Sequence, residues 1–158
     1  MGKREGTRRV ALAVAAGLLL SVLVGQLPAS ARGGTTYVFT CGAYHTYTVN
    51  GDTIHYKACV SDAYNGYRKA AMVSYVSGYD GSPGITLYRH RVWYYSSGGT
   101  LIADATCEWT SVPTDSSNPY WCITGAASSV GSGSYAKGYV NPYYGSFSYV
   151  TPIIQYTR

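Results

Sequence analysis

The sequence predicts an all-β protein built from two packed antiparallel sheets. Apolar and polar residues alternate with period two along most of the chain, and no segment carries the i, i+3, i+4, i+7 stripe of an amphipathic helix. Clusters of Gly, Pro, Asn, Asp and Ser interrupt the alternation at short intervals. Tyr and Gly number 18 and 19, while charged residues make up only 12% of the 158-residue chain. That mix favours strands joined by tight turns.

Taken in order, the first element is an export signal. Lys3, Arg4, Arg8 and Arg9 form a basic start, residues 10–27 are an almost unbroken apolar run, and Pro28 precedes the small residues Ala29-Ser30-Ala31. This is the pattern of a cleaved signal peptide over 1–31, followed by a mature domain over 32–158. An uncleaved anchor is the alternative for a run of that length, and Pro28 with Ala-Ser-Ala favours cleavage. Thr7-Arg8-Arg9-Val10-Ala11-Leu12 loosely matches a twin-arginine signal. Ala11 stands where that signal has a bulky apolar residue, so the general secretory route is favoured. A secreted, extracellular product without stable membrane association is expected.

Cleavage removes four basic residues and one acidic one, lowering the formal charge from +5 to +2. The basic character therefore belongs largely to the signal, and no nucleic-acid partner is expected. The remaining chain of about 127 residues suits one domain with one core.

Alternation places strands at 36–40, 44–49, 53–60, 70–77, 85–95, 100–110, 120–125, 134–140 and 146–156. Between them lie Asn50-Gly51, Asn65-Gly66, Asp80-Gly81-Ser82-Pro83-Gly84, Ser96-Ser97-Gly98-Gly99, Gly131-Ser132-Gly133 and Asn141-Pro142. Eight or nine short strands so spaced predict an antiparallel β-sandwich of immunoglobulin-like or jelly-roll-like type.

Cys41, Cys59, Cys107 and Cys122 are an even set in an exported chain, so two disulfides are expected, with three possible connectivities. Local pairing is favoured because each sequential pair flanks a turn signal and can face itself across neighbouring antiparallel strands. The two-residue Asn50-Gly51 turn leaves Cys41 and Cys59 out of register by one, so a bulge is required there. Thiol ligation of a metal would need close Cys-x-x-Cys pairs, which this sequence lacks.

The hairpin of 85–95 and 100–110 sorts into two faces. Tyr88, His90, Val92 and Tyr94 join Leu101, Ala103, Ala105, Cys107 and Trp109 on the core side. Arg89, Arg91 and Trp93 join Ile102, Asp104 and Glu108 on the solvent side. Asp104 and Glu108 are four residues apart, roughly 13 Å along a strand, beyond the ~5–9.5 Å of paired glycosidase carboxylates. Ion pairs with Arg89 and Arg91 are expected instead. If Cys41 lies opposite Cys59, the same register places His45 opposite His55, and such a pair suits a metal or a pH response. Nothing nearby supplies a third ligand. No catalytic residue, cofactor or metal is expected, since no nucleophile, zinc or phosphate-binding motif occurs.

Aromatic residues are the excess that needs a role. Trp93, Tyr95, Tyr143 and Tyr144 are the candidate binding residues, because an extended Tyr-Tyr doublet turns one ring outward. Tyr64 and Tyr67 flank a turn. Rigid amphipathic rings bury area at low entropic cost, and Tyr is also an ordinary strand residue.

The signal, Tyr56-Lys57-Ala58-Cys59-Val60, Trp93-Tyr94-Tyr95, Asp104-Ala105-Thr106-Cys107, Cys122 and Ser134-Tyr135-Ala136-Lys137-Gly138-Tyr139-Val140 together resemble the small secreted β-sandwich proteins of actinobacteria. The resemblance implies a structural frame over nearly the whole mature chain. It also implies roles such as inhibitor of an extracellular hydrolase, carbohydrate binder or adaptor in a secreted assembly, with no role carried to particular residues.

The function expected is therefore binding without catalysis, with an extracellular protein partner first. An adaptor would use a sheet edge or an arm at Arg32-Gly33-Gly34-Thr35, and an inhibitor a stiff loop at 80–84 or 112–119. A lectin-like carbohydrate or cell-wall binder using surface Tyr and Trp is the alternative, and a small hydrolase with an unrecognised site is the third reading.

Overall fold

Twelve strands and no helix make up the described residues: β1 (Phe39–Cys41), β2 (His45–Val49), β3 (Asp52–Ser61), β4 (Tyr67–Arg68), β5 (Ala70–Ser77), β6 (Leu87–Tyr95), β7 (Leu101–Trp109), β8 (Tyr120–Ile123), β9 (Ala127–Ser128), β10 (Tyr135–Tyr144), β11 (Phe147–Ser148) and β12 (Ile154–Thr157). The structure, a computed structural model, describes residues 37–81, 84–128 and 131–158. The expected signal peptide over 1–31, the arm at 32–35 and part of the 80–84 loop lie outside the described residues.

The strands form two antiparallel five-stranded sheets and a small β4–β9 pair. In the first sheet β1 and β2 share the edge beside β3, followed by β5 and β8. In the second, β11 and β12 share the edge beside β10, followed by β6 and β7. The sheets stack face to face, with β3 over β10 and β12, β5 over β6 and β10, and β8 over β6 and β7. The fold is β-sandwich-like, as the alternation predicts.

Local chemistry explains the register. Asn50 and Gly51 both have positive φ, 51° and 87°, the requirement of a type I′ hairpin. This turn pairs His45 with Tyr56 and Val49 with Asp52, while Cys41 pairs with Cys59. The one-residue offset between these registers falls at Gly42-Ala43-Tyr44, the irregularity that the cysteine spacing requires. The Cys41–Cys59 disulfide closes across it.

The inner faces make one core. Ile54, Tyr56, Ala58 and Val60 of β3, Met72 and Val76 of β5, Tyr88, Val92 and Tyr94 of β6, and Ala136 and Val140 of β10 are all buried. Each Ile, Val or Met side chain so buried contributes about 1.5–3 kcal/mol. Gly138 leaves no room for a side chain between the neighbouring β6 backbone and Met72 of the facing sheet. A Cβ there would lie 2.5 Å from the Arg91 carbonyl oxygen and would also meet the Met72 methyl. Because backbone cannot rotate away, Gly138→Ala is expected to cost about 1–3 kcal/mol, read as a lower urea midpoint.

Three expectations are corrected. Cys107 and Cys122 do pair, but not across neighbouring strands. β7 pairs with β6 and β8 pairs with β5, so this disulfide joins the two sheets. Asn141-Pro142 is not a turn, since β10 runs straight through it. Pro142 is tolerated because its side of β10 faces the irregular stretch after β11, where Tyr149 N–H donates to the Pro142 carbonyl at 3.0 Å and no ladder donor is needed. The strand expected over 146–156 is split for a related reason. Thr151 turns inward, its N–H donating to the Val140 carbonyl at 2.9 Å and its hydroxyl oxygen accepting from the Val140 N–H at 3.0 Å.

Candidate functional site

The outer face of the second sheet gathers five half-exposed rings. Strand alternation sends the odd residues of β6 and β10 to the same side. The register sets Tyr135 opposite Tyr95, Lys137 opposite Trp93, Tyr139 opposite Arg91, Asn141 opposite Arg89 and Tyr143 opposite Leu87. The sequence-predicted Trp93, Tyr95 and Tyr143 therefore share one face. Tyr135, Tyr139, Arg91 and Lys137 join them there, although the sequence reading did not single them out as a site. Their signal was available: residues 135, 139 and 143 are spaced by four, and an even spacing on one strand keeps a single face. The assumed turn at Asn141-Pro142 hid the continuity.

Tyr144 is corrected. It points inward, 6% exposed, and its hydroxyl donates to Asp52 Oδ2 at 2.7 Å. Burial, followed by the hydrogen bond and charge of Asp52, pushes its pKa up. It is a core residue that satisfies a buried carboxylate.

The rings on the face are committed to one another and to cations. Tyr95 stacks on Tyr135 with centroids 5.1 Å apart and planes 15° apart. The Lys137 ammonium lies 5.6 and 5.4 Å from those two centroids. Trp93 meets Tyr139 edge-on at 5.6 Å, and the Arg91 guanidinium covers Trp93 at 5.2 Å. Arg89 covers Tyr143 at 5.1 Å and donates to its hydroxyl at 2.6 Å. Cross-strand aromatic pairs and cation–π contacts each contribute roughly 0.5–1 kcal/mol, so the slab is held before any ligand arrives. Arg89 also forms the expected ion pair with Glu108, at 2.5 Å. Arg91 does not pair with Asp104, because Thr106 occupies its rung.

The histidines do not form a site. His45 lies opposite Tyr56 and His55 lies opposite Thr46, so the bulge sends the two imidazoles to opposite faces. This corrects the expected His45–His55 pair. His55 stacks on Tyr75 at 4.4 Å, and its Nε2 is 2.8 Å from Ser77 Oγ. That contact joins a base to a hydroxyl, yet no carboxylate among the described residues is paired with the ring. His90 is in the core, as the face assignment predicts, with Nε2 2.6 Å from Ser74 Oγ, which is itself 2.7 Å from Tyr88 OH. Among the described residues no group of three or more His, Cys, Asp or Glu is arranged to hold a metal.

Of the two loops proposed for an inhibitor, the one over 112–119 is stiffened by its own turn. The Asp115 carboxylate accepts from the Ser117 hydroxyl and backbone N–H, and these bonds hold its pKa below the ordinary range. Comparison with family models, characterised proteins and solved structures finds no match to this chain.

Proposed function

We propose that this chain is a secreted binding protein that works without catalysis, and that the outer face of its second sheet engages an extracellular protein. The observation that carries this reading is the run of five rings, Trp93, Tyr95, Tyr135, Tyr139 and Tyr143, interleaved with Arg89, Arg91 and Lys137 on one registered face. Tyr, Trp and Arg are the residues enriched at protein interfaces and at their energetic centres. Ring faces already covered by neighbouring rings and cations leave edges and polar tips to the ligand. That suits a protein surface better than sugar-face stacking.

Secretion is supported by the pattern of residues 1–31 and by two disulfides in a small domain. An immunoglobulin-like reading of the sandwich is supported by the chain order. β3, β5 and β8 follow as A, B and E, and β6, β7, β10 and β12 as C, C′, F and G, with β1 and β2 added before A and no D.

The test is capture of a partner from culture supernatant, followed by affinity measurement on the purified pair. One dominant protein is expected, and Trp93→Ala or Tyr139→Ala should each cost about 2 kcal/mol, roughly 30-fold in Kd. Retention on chitin, cellulose or peptidoglycan that Trp93→Ala abolishes would replace this reading with a carbohydrate-binding one.

A further inference from the structure

The longest open edge of the fold is β7. It pairs only with β6, and among the described residues no backbone hydrogen bond reaches Leu101–Trp109 from any other element. The other edges are blunted. β1 and β2 divide theirs with an offset at Gly42-Ala43-Tyr44, β8 has four residues, and β11 and β12 are separated by the irregular stretch containing Pro152. β7 carries no Pro, Lys or Arg, the residues that commonly keep an edge from pairing, and its one irregularity lies at its start, against Tyr94 and Tyr95.

Two further observations say what fits this edge. The inner row of β7, Ala103, Ala105, Cys107 and Trp109, is apolar yet only partly covered, and the irregularity turns Leu101 away from its expected core side to the outer row opposite Tyr95, where it is 50% exposed. The strand beneath it, β8, is short. On the outer row, two opposite charges lack ion-pair partners among the described residues. Asp104 stands opposite Trp93, Arg91 stands opposite Thr106, and Arg91 Nε makes no hydrogen bond.

We infer that β7 pairs antiparallel with β7 of a second copy of this chain, about a two-fold axis at Ala105. In that register Ala105 faces Ala105, Ala103 faces Cys107, and Asp104 faces Thr106. Asp104 of each copy then shares a rung with Arg91 of the other, two strand spacings or roughly 10 Å apart across the sheet, a span that the two side chains cover together. The symmetry forms this ion pair twice. A register centred on Thr106 would set Asp104 against Glu108, and a one-residue slip would mismatch the apolar rows. The result is one continuous sheet with both ring-lined faces on the same side. Its interface is narrow, so association is weak and concentration-dependent.

Sedimentation equilibrium from micromolar to millimolar protein tests the inference. A reversible monomer–dimer equilibrium is expected. Asp104→Arg and Arg91→Asp should each weaken it at least tenfold through like-charge contacts, and the double exchange should restore it. A monomer at every concentration would overturn the inference. So would a dimer indifferent to Asp104→Arg, or single variants that the double exchange fails to rescue. Because rescue requires folded protein, loss through unfolding of one variant is told apart from loss of the contact.

Discussion

Between about pH 6.5 and pH 3 the fold is expected to lose about 1.4 kcal/mol of stability for each unit by which the pH falls, owing to His90 alone. The ring is fully buried beneath Tyr88, Trp109 and Cys107. Its Nε2 is engaged by Ser74, and its Nδ1 has no hydrogen-bond partner. Burial penalises the imidazolium and pushes its pKa down to about 3 from an ordinary 6.5. The unfolded chain therefore binds a proton across that window and the folded chain does not. Stability is full above the ordinary value and falls as the pH drops toward the folded one. The whole window is worth about 5 kcal/mol, comparable to the total stability of a small domain. Urea unfolding at pH 7, 6 and 5 would show the slope before most carboxylates titrate. His90→Gln keeps a polar atom near Ser74 and removes the titration, so its slope over the same range should be nearly flat. An unchanged slope in that variant would assign the acid sensitivity elsewhere.

Replacing both Cys107 and Cys122 by Ala is expected to cost about 3 kcal/mol, the chain entropy of a closed loop of 15 residues. Removing Cys41 and Cys59, separated by 18 residues, should cost nearly the same, since the entropy depends only weakly on loop length. The two losses differ in where they are felt. Cys41–Cys59 ties neighbouring strands that the ladder already holds, whereas Cys107–Cys122 joins the second sheet to the first beside Trp109, which stacks on Tyr120 at 4.7 Å. Amide exchange should therefore accelerate in both β7 and β8 for the second pair, and only near β1 for the first. Equal protection of β7 in the two variants would show that packing, not sulfur, holds that side of the sandwich.

Much of this architecture is legible in the residues because period two states a face wherever one side is apolar. The β6–β7 hairpin follows its predicted faces from Tyr88 and Trp109 to Tyr94 and Ala103. The offset of Cys41 and Cys59 announces a bulge before any coordinate does. What is not legible is partition, since alternation does not say which sheet a strand joins. The Cys107–Cys122 spacing therefore suggests a hairpin where the chain in fact crosses the sandwich. Asn141-Pro142 carries a turn signal that its position overrides, because proline is excluded only where a ladder needs its N–H. The site was half legible for the same reason. Trp93, Tyr95 and Tyr143 follow from alternation, but their convergence with Tyr135 and Tyr139 depends on β10 being one unbroken strand beside β6. Tyr144 went to the core because a doublet can turn only one ring outward.

The last residue of the chain is stitched back to the first sheet. Arg158 ion-pairs with Asp62, donates to Thr40 Oγ1 at 2.9 Å, and exchanges backbone bonds with Gly133 and Ser134. The carboxyl end thus sits beside the strand that opens the described fold, and a short peptide joining the two would cross little distance. Such a ring could be reopened at the exposed Asp115-Ser116-Ser117 turn without severing either sheet, giving a circularly permuted chain with the same sandwich.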